Sequence, residues 1–153
     1  MNTGKEFAAM TVKDRSEAVK KCIEALSVKS SVILAPTETV YGLICDWDDA
    51  SARERIYKLK HRAENKPFAA FVPSVTHVSK YVDEIPRAAR ILAEKFCPGP
   101  ITIIIPDGKG STFGFRIPDH PFIIELLNAS GRTFASTSAN LSGQPAALNV
   151  ADA

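Results

Sequence analysis

Four cations lie within nine residues of this chain, from Lys58 to Lys66. Lys60 and Arg62 stand out, because an ammonium offers a compact charge and a guanidinium a flat fork of donors for phosphate or carboxylate oxygens. Two residues apart, they point to different faces of a helix and can meet one ligand only if the helix ends near Lys60. Cations also favour a helix C-terminus for electrostatic reasons, and taken alone the cluster favours that explanation.

A second polar stretch, Ser-Thr-Ser-Ala-Asn-Leu-Ser-Gly, runs from Ser136 to Gly143. Its hydroxyl, amide and backbone N–H groups can donate to phosphate or carboxylate oxygens. It directly follows the apolar pair Phe134-Ala135, which indicates a loop at the end of a strand rather than a Ser-rich linker.

The third stretch is Pro-Thr-Glu-Thr-Val-Tyr-Gly-Leu at residues 36–43, after the apolar run 32–35. Loops at strand ends are where α/β proteins place much of their chemistry. Gly42 indicates either a positive φ or a close approach of backbone to a ligand. The alternative is a plain strand-to-strand turn whose threonines satisfy local backbone groups, and the stretch alone does not decide between the two.

Helical spacing and capping residues predict five helices around these stretches. They follow Asp14 and Asp48-Asp49 (residues 50–60), occupy residues 75–81, and begin at Pro86 and at Pro118-Asp119. In the helix that begins at Pro86, the residues at 0, 3, 4 and 8 form the apolar stripe typical of a core-facing helix. These residues are Ala88, Ile91, Leu92 and Phe96.

Apolar runs predict six strands. They lie at residues 32–35, 43–45, 68–72, 101–105, 113–117 and 134–135. The run 101–105 is apolar except for Thr102 and is predicted to be central. Arg116 lies between Phe115 and Ile117, so its side chain points away from their face, toward a cleft. Proline cannot continue a central strand, so we expect the chain to leave the sheet at Pro36.

Composition bounds the class of protein. The 153 residues fit one domain, residues 1–153, and the net charge of +2 does not by itself imply nucleic acid. Three widely spaced cysteines without a CxxC pattern indicate neither a zinc site nor a disulfide framework. No run is long enough to span a membrane, and no signal peptide is indicated, so we expect a cytoplasmic protein. Residues 1–13 are predicted to be an arm or an edge element.

Taken in order, these segments resemble the YrdC/TsaC family of threonylcarbamoyl-AMP synthases. The motifs are residues 36–43, Lys60-x-Arg62, Pro98-Gly99-Pro100-x-Thr102, Arg116-x-Pro118-Asp119 and Ser136-Thr137-Ser138-Ala139-Asn140-x-Ser142-Gly143. Each motif alone is weak, but five in this order across about residues 15–145 form a specific pattern. The resemblance implies an α/β fold, an open twisted mixed sheet with flanking helices. This YrdC-like (RibB-like) architecture would carry a concave, positively lined site.

The resemblance also implies a reaction of ATP, L-threonine and bicarbonate (or CO2) to threonylcarbamoyl-AMP and pyrophosphate. The product would serve threonylcarbamoyladenosine modification of tRNA, completed by partner proteins that transfer the group. The implied catalytic residues are Lys60, Arg62, Ser138 and Asn140. The implied L-threonine contacts are Thr37, Thr39, Ser136 and Arg116, with Arg116 on the carboxylate. The implied ATP contacts are Lys58, Lys60, Arg62, Thr112, Ser138 and Asn140. Mg2+ would be carried by the nucleotide, with no metal site of the protein's own.

The sequence departs from the family's pattern at Glu38, Ala63 and Phe71, where relatives commonly carry Asp, Pro and His. Relatives also continue past the position of Ala153 into elements that help close the nucleotide site. This sequence is therefore expected to be either part of a longer protein or a reduced relative with an open site. Two other functions stay open: an RNA-binding module of the same fold that contacts tRNA or rRNA without catalysis, and a paralogue that uses a different carbamoyl or amine substrate. We expect a monomer or a weak homodimer that can contact tRNA.

Overall fold

The computed structural model describes residues 14–153, so the arm predicted over residues 1–13 lies outside the described part. The helices are α1 (Arg15–Leu26), α2 (Ala50–Lys60), α3 (Val75–Val78), α4 (Arg87–Phe96) and α5 (Pro121–Ser130). The strands are β1 (Ile33–Pro36), β2 (Tyr41–Asp46), β3 (Ala69–Phe71), β4 (Ile103–Pro106), β5 (Thr112–Arg116) and β6 (Phe134–Ser138). None of the described helices is long and apolar enough to cross a bilayer.

The six strands form one mixed sheet in the order β1-β2-β6-β3-β5-β4. Strands β3 and β5 pair in parallel, and the other neighbouring strands pair antiparallel. The predicted mixed α/β sheet with flanking helices is therefore confirmed.

Helices cover the sheet on both faces. Ile44 and Cys45 are neighbours in β2 and point to opposite faces. Ile44 packs in the cluster that includes α1 and α5, whereas Cys45 packs against α2. The α3 and α4 helices extend the second layer over β3, β4 and β5. On the first face, Phe134 lies under α5, and Ser136 follows it two residues along β6, where the candidate site begins.

The α4 stripe predicted to face the core is exposed instead. Ile91, Leu92 and Phe96 are 52%, 44% and 46% exposed, while Ala89 and Ala93 are buried. The helix contacts the sheet through these two small residues, which pack in one cluster with the larger side chains of β4 and β5. Small residues permit close approach of helix and sheet, and that close approach leaves the longer side chains of α4 on the outer side.

Strand β4 corrects a second prediction, because it is an edge strand rather than a central one. The apolar side chains of β4 alternate between the two faces of the sheet. Ile103 and Ile105 are buried in the core, whereas Ile104 is 67% exposed and lines the cavity described below. Pro36 is the last residue of β1, which is also an edge strand and pairs as far as Pro36↔Tyr41. The α5 helix begins at Pro121 and not directly after Asp119, with His120 as a cap that makes no side-chain hydrogen bond.

The α2 helix, which leads into the cationic segment, is fixed at its start by Asp49. The Asp49 carboxylate accepts hydrogen bonds from the N–H of Ala52 (3.0 Å), the hydroxyl of Ser51 (2.6 Å) and the N–H of Ser30 (2.6 Å). Ser30 lies before β1, so one carboxylate joins the helix start to the segment that enters the sheet. These hydrogen bonds, that from Ser51 foremost, lower the pKa of Asp49 to about 2.

We expect Asp49→Ala to lower the free energy of unfolding by about 1–2 kcal/mol at neutral pH, because it removes a helix cap. The folded-state pKa of about 2 lies below the ordinary value of 3.8. The stabilisation that the Asp49 carboxylate provides is therefore fully present above about pH 4 and is lost as the pH falls toward about 2. Urea unfolding of the variant and the wild type across this range measures the difference. Asp48→Ala, at the exposed neighbouring position, is the control, and a difference independent of pH would contradict the prediction.

Candidate functional site

A cavity of about 380 Å³ opens on the sheet face beyond α1 and α5. Its polar lining comes from five parts of the chain: the turn after β1 (Thr37 and Thr39), the segment after α2 (Arg62), the residue before β4 (Thr102), strand β5 (Thr112 and Arg116), and strand β6 (Ser136, Thr137 and Ser138). Phe68, Phe71 and Ile104 supply apolar wall. A cavity of this size with apolar walls and convergent polar groups has the character of a small-molecule site.

Arg62 reaches the cavity because the helix ends just before it. His61, the C-cap of α2, has φ 49°, in the left-handed region, which turns the chain away from the helix axis. The Arg62 guanidinium donates to the carbonyls of Lys66 (3.2 Å) and Pro67 (3.0 Å), and its central carbon lies 5.8 Å from the centroid of the Phe68 ring. These contacts orient the guanidinium without cancelling its charge.

Lys60 lies immediately before this turn and points elsewhere. Its side chain is buried, and its ammonium donates to the carbonyls of Ser138 and Asn140 and to the Asn140 side-chain oxygen. Burial, with the nearby charge of Arg62, lowers the pKa of Lys60 to about 8, so the group remains cationic at pH 7. Three acceptors match the three N–H donors of an ammonium, so Lys60 holds the loop after β6 and is not among the cavity-lining residues.

The loop after β6 is further fixed by its own groups. The N–H of Ser142 donates to the carbonyl of Lys60 (2.9 Å), and the Asn140 amide donates to the carbonyls of Leu141 (2.8 Å) and Gln144 (2.7 Å). The Asn140 amide therefore forms hydrogen bonds within the loop, whereas Ser138 lines the cavity. The predicted strand before this polar run is present but longer than expected, because β6 extends to Ser138 and includes the first three residues of the run.

Arg116 also faces the cavity, on the opposite side of β5 from Phe115, as the strand alternation predicts. Its Nη2 donates to Glu38 Oε1 at 2.6 Å and to Thr39 Oγ1 at 3.2 Å, and both charged side chains are 14% exposed. Its central carbon lies 5.7 Å from the centroid of the Phe71 ring. Burial alone would raise the pKa of Glu38, but the hydrogen bond from Arg116 and its charge hold that pKa below the ordinary value.

The turn after β1 combines both of the alternatives that its sequence left open. It is a strand-to-strand turn in which the Thr37 hydroxyl donates to the Val40 carbonyl (2.6 Å) and accepts from the N–H groups of Thr39 and Val40 (3.2 Å each). It also lines the cavity. Gly42 does not have a positive φ, and a Cβ there would meet Ser136 Oγ and the Thr137 carbonyl oxygen at 3.4 Å. Gly42 therefore lies in van der Waals contact with β6.

The structure thus brings most of the predicted site residues together and leaves three outside the cavity. Lys60 and Asn140 form its support, and Lys58 is 74% exposed and paired with Glu54 at 2.6 Å. Gly114, which lines the cavity between Thr112 and Arg116, was missed by the sequence reasoning. The two-residue period of a strand could have identified it, since positions 112, 114 and 116 share a face. The pairing of Glu38 with Arg116 carries no signal in the sequence.

No group of three or more His, Cys, Asp or Glu side chains within residues 14–153 is placed to hold a metal ion.

Comparisons with known proteins agree with the fold. A sequence profile of the Sua5/YciO/YrdC family, described as "Telomere recombination", matches residues 26–153. The threonylcarbamoyl-AMP synthase of Mus musculus is 35% identical over 144 residues, which is 88% of this chain and 50% of the relative. That of Vibrio cholerae is 36% identical over 143 residues, 86% of this chain and 76% of the relative. The chain spans about half the length of the mouse protein.

Solved structures show the same relationship. The crystal structure of P. abyssi Sua5 complexed with L-threonine matches with a TM-score of 0.82 and 28% identity over 93% of this chain and 44% of that one. E. coli YciO matches with a TM-score of 0.73 and 27% identity over 86% of this chain and 67% of that one. Because the profile covers most of the chain and the V. cholerae relative is matched over 76% of its length, this protein belongs to the Sua5/YciO/YrdC family.

Proposed function

We propose that this protein is a threonylcarbamoyl-AMP synthase, a nucleotidyltransferase that joins L-threonine, bicarbonate and ATP and releases pyrophosphate and water. The observation that carries the proposal is a cavity whose wall holds two arginines, Arg62 and Arg116, together with the hydroxyls of Ser136 and Ser138. Relatives that bear this name match most of the chain, and the P. abyssi structure contains L-threonine. The product would supply threonylcarbamoyl groups for tRNA modification, through partner proteins that complete the transfer.

The chemistry asks the protein for positioning and charge stabilisation more than for covalent participation. The threonine amine attacks the carbon of bicarbonate, and loss of water gives a carbamate. A carbamate oxygen then attacks the α-phosphorus of ATP, the bond from that phosphorus to the bridging oxygen breaks, and pyrophosphate leaves. Mg2+ bound to the phosphates belongs to the nucleotide substrate. Preorganised donors near the phosphates stabilise the charge that develops in this step.

The geometry supports a division of labour among the site residues. Arg62 binds the triphosphate, because its guanidinium lines the cavity and its protein partners are neutral carbonyls. Arg116 binds the threonine carboxylate. Hydroxyls orient the carbamate and the α-phosphate; they belong to Thr39, Thr112, Ser136 and Ser138. Lys60 and Asn140 act indirectly by holding the loop that presents Ser138.

Isothermal titration of ATP with and without L-threonine, followed by pyrophosphate release in bicarbonate buffer, tests the function. Threonine-dependent pyrophosphate release is the expected result. Release that depends on a different amine would favour a paralogue with another substrate. Salt-sensitive RNA binding without nucleotide binding would overturn the synthase and point to an RNA-binding module of the same fold.

The variants Lys60→Met and Arg62→Met should distinguish a residue that stabilises the loop after β6 from a residue that binds ATP. We expect Lys60→Met to lower the free energy of unfolding by about 3 kcal/mol, because it leaves buried carbonyl oxygens without donors. Arg62→Met should change stability by less than about 1 kcal/mol and should raise the Kd for ATP about tenfold or more, as for the loss of one charge-assisted contact. Urea unfolding and ATP titration provide the two measurements. Equal stability losses in both variants would contradict this assignment.

Arg116→Met should raise the KM for threonine about tenfold or more and change the KM for ATP less than about twofold, since the lost contact is to the carboxylate. Steady-state pyrophosphate release with each substrate varied in turn measures both constants. Lys109→Met, in the exposed turn between β4 and β5, is the control for loss of one cation. A parallel rise in both KM values would place Arg116 on the nucleotide instead.

A further inference from the structure

The two arginines of the cavity differ in how their charge is balanced. Arg116 pairs with the Glu38 carboxylate at 2.6 Å, and both side chains are largely buried. Arg62 has no carboxylate within salt-bridge distance among the described residues and donates to two backbone carbonyls instead. The cavity is therefore close to neutral around Arg116 and carries an uncompensated positive charge around Arg62.

Glu38 acts from behind Arg116. It is not among the cavity-lining residues, whereas Arg116 is. Within the ion pair, Nη2 of Arg116 donates to Glu38, and it also donates to Thr39 Oγ1. Nη1 of Arg116 has no partner in the described part of the chain. Nη1 is the donor that remains available for a ligand carboxylate, and Glu38 fixes the orientation in which it is presented.

The pair is also incompletely satisfied. Glu38 Oε2 and Arg116 Nε are buried and have no hydrogen-bond partner among residues 14–153. Buried polar groups without partners raise the free energy of a folded protein. One acceptor of Glu38 and one donor of Arg116 are therefore unused inside the pair.

Charge decides which ligand this arrangement favours. A carboxylate that binds beside the neutral Arg116–Glu38 pair adds a net negative charge to a poorly solvated site, which is costly. An α-amino acid brings its own ammonium, so the total stays neutral. At Arg62 the balance is reversed, and anionic phosphate oxygens neutralise the site.

We propose that Glu38 is a specificity-determining positioning residue: it holds Arg116 and cancels its charge, so that this part of the cavity accepts a zwitterionic amino acid and discriminates against a carboxylate without an ammonium. The proposal rests on the proposed function in that it takes the amino acid to be a substrate. It assigns a role to a residue that touches the ligand only through Arg116.

Direct binding tests this role apart from turnover. The two probes are L-threonine and 3-hydroxybutanoate, which keeps the carboxylate and the hydroxyl and lacks the ammonium. Titration calorimetry with the full chain gives both Kd values for the wild type, Glu38→Gln, Glu38→Asp and the control Glu17→Gln. Glu17 is an exposed α1 residue paired with Lys21, far along the chain from the site. Circular dichroism checks that each variant is folded.

We expect the wild type to prefer threonine, and Glu38→Gln to reduce that preference about tenfold or more, as for the loss of one charge-assisted interaction. Glu38→Asp, which keeps the charge, and Glu17→Gln should retain the preference. An unchanged preference in folded Glu38→Gln, or a wild type that binds both probes equally, overturns the role of Glu38 even if pyrophosphate release depends on threonine. A preference that Glu38→Gln abolishes, in a protein without threonine-dependent pyrophosphate release, supports the role and overturns the synthase.

Discussion

The architecture of the site depends on the hydrogen bonds that the buried Lys60 ammonium donates to Ser138 and Asn140. Lys60 lies at the end of α2, and its acceptors lie nearly eighty residues later in the chain, at the end of β6 and in the loop that follows. A buried charge is tolerated only where hydrogen bonds replace its hydration, and here the oxygens of Ser138 and Asn140 do so. With Lys60 committed to the loop, the left-handed turn at His61 directs Arg62 to the cavity. One short segment thus supplies both the support and the free charge of the site.

How far the sequence predicts this site depends on the range of the interactions involved. The start of α2 at Asp49 and the alternation that turns Arg116 toward the cavity follow from local chemistry, and both are confirmed. The strand that begins at Phe134 is also present, although it extends to Ser138 rather than ending at Ala135. The division between Lys60 and Arg62 depends on a backbone turn and on acceptors distant in sequence, so residue types alone assigned both to phosphate. The α4 stripe failed for a related reason. Periodicity identifies an apolar face, but the sheet packs against the smaller residues Ala89 and Ala93.

Both cavity arginines are supported by an aromatic ring. Each guanidinium lies near a phenylalanine of the cavity wall, Arg62 near Phe68 and Arg116 near Phe71. An aromatic face attracts a cation and restricts its motion, which reduces the entropy lost when a ligand binds.

Strand β6 is the last strand along the chain and the third across the sheet, so β2 and β3 are joined only through it within the described residues. Until residues 134–138 have been synthesised, the β1–β2 hairpin and the β3–β5–β4 group are separate units with unpaired inner edges. Pairings between strands distant in sequence form slowly, and exposed edges favour aggregation in the meantime. The cavity, whose lining includes Ser136 and Ser138, therefore cannot be complete before residue 138 has emerged from the ribosome.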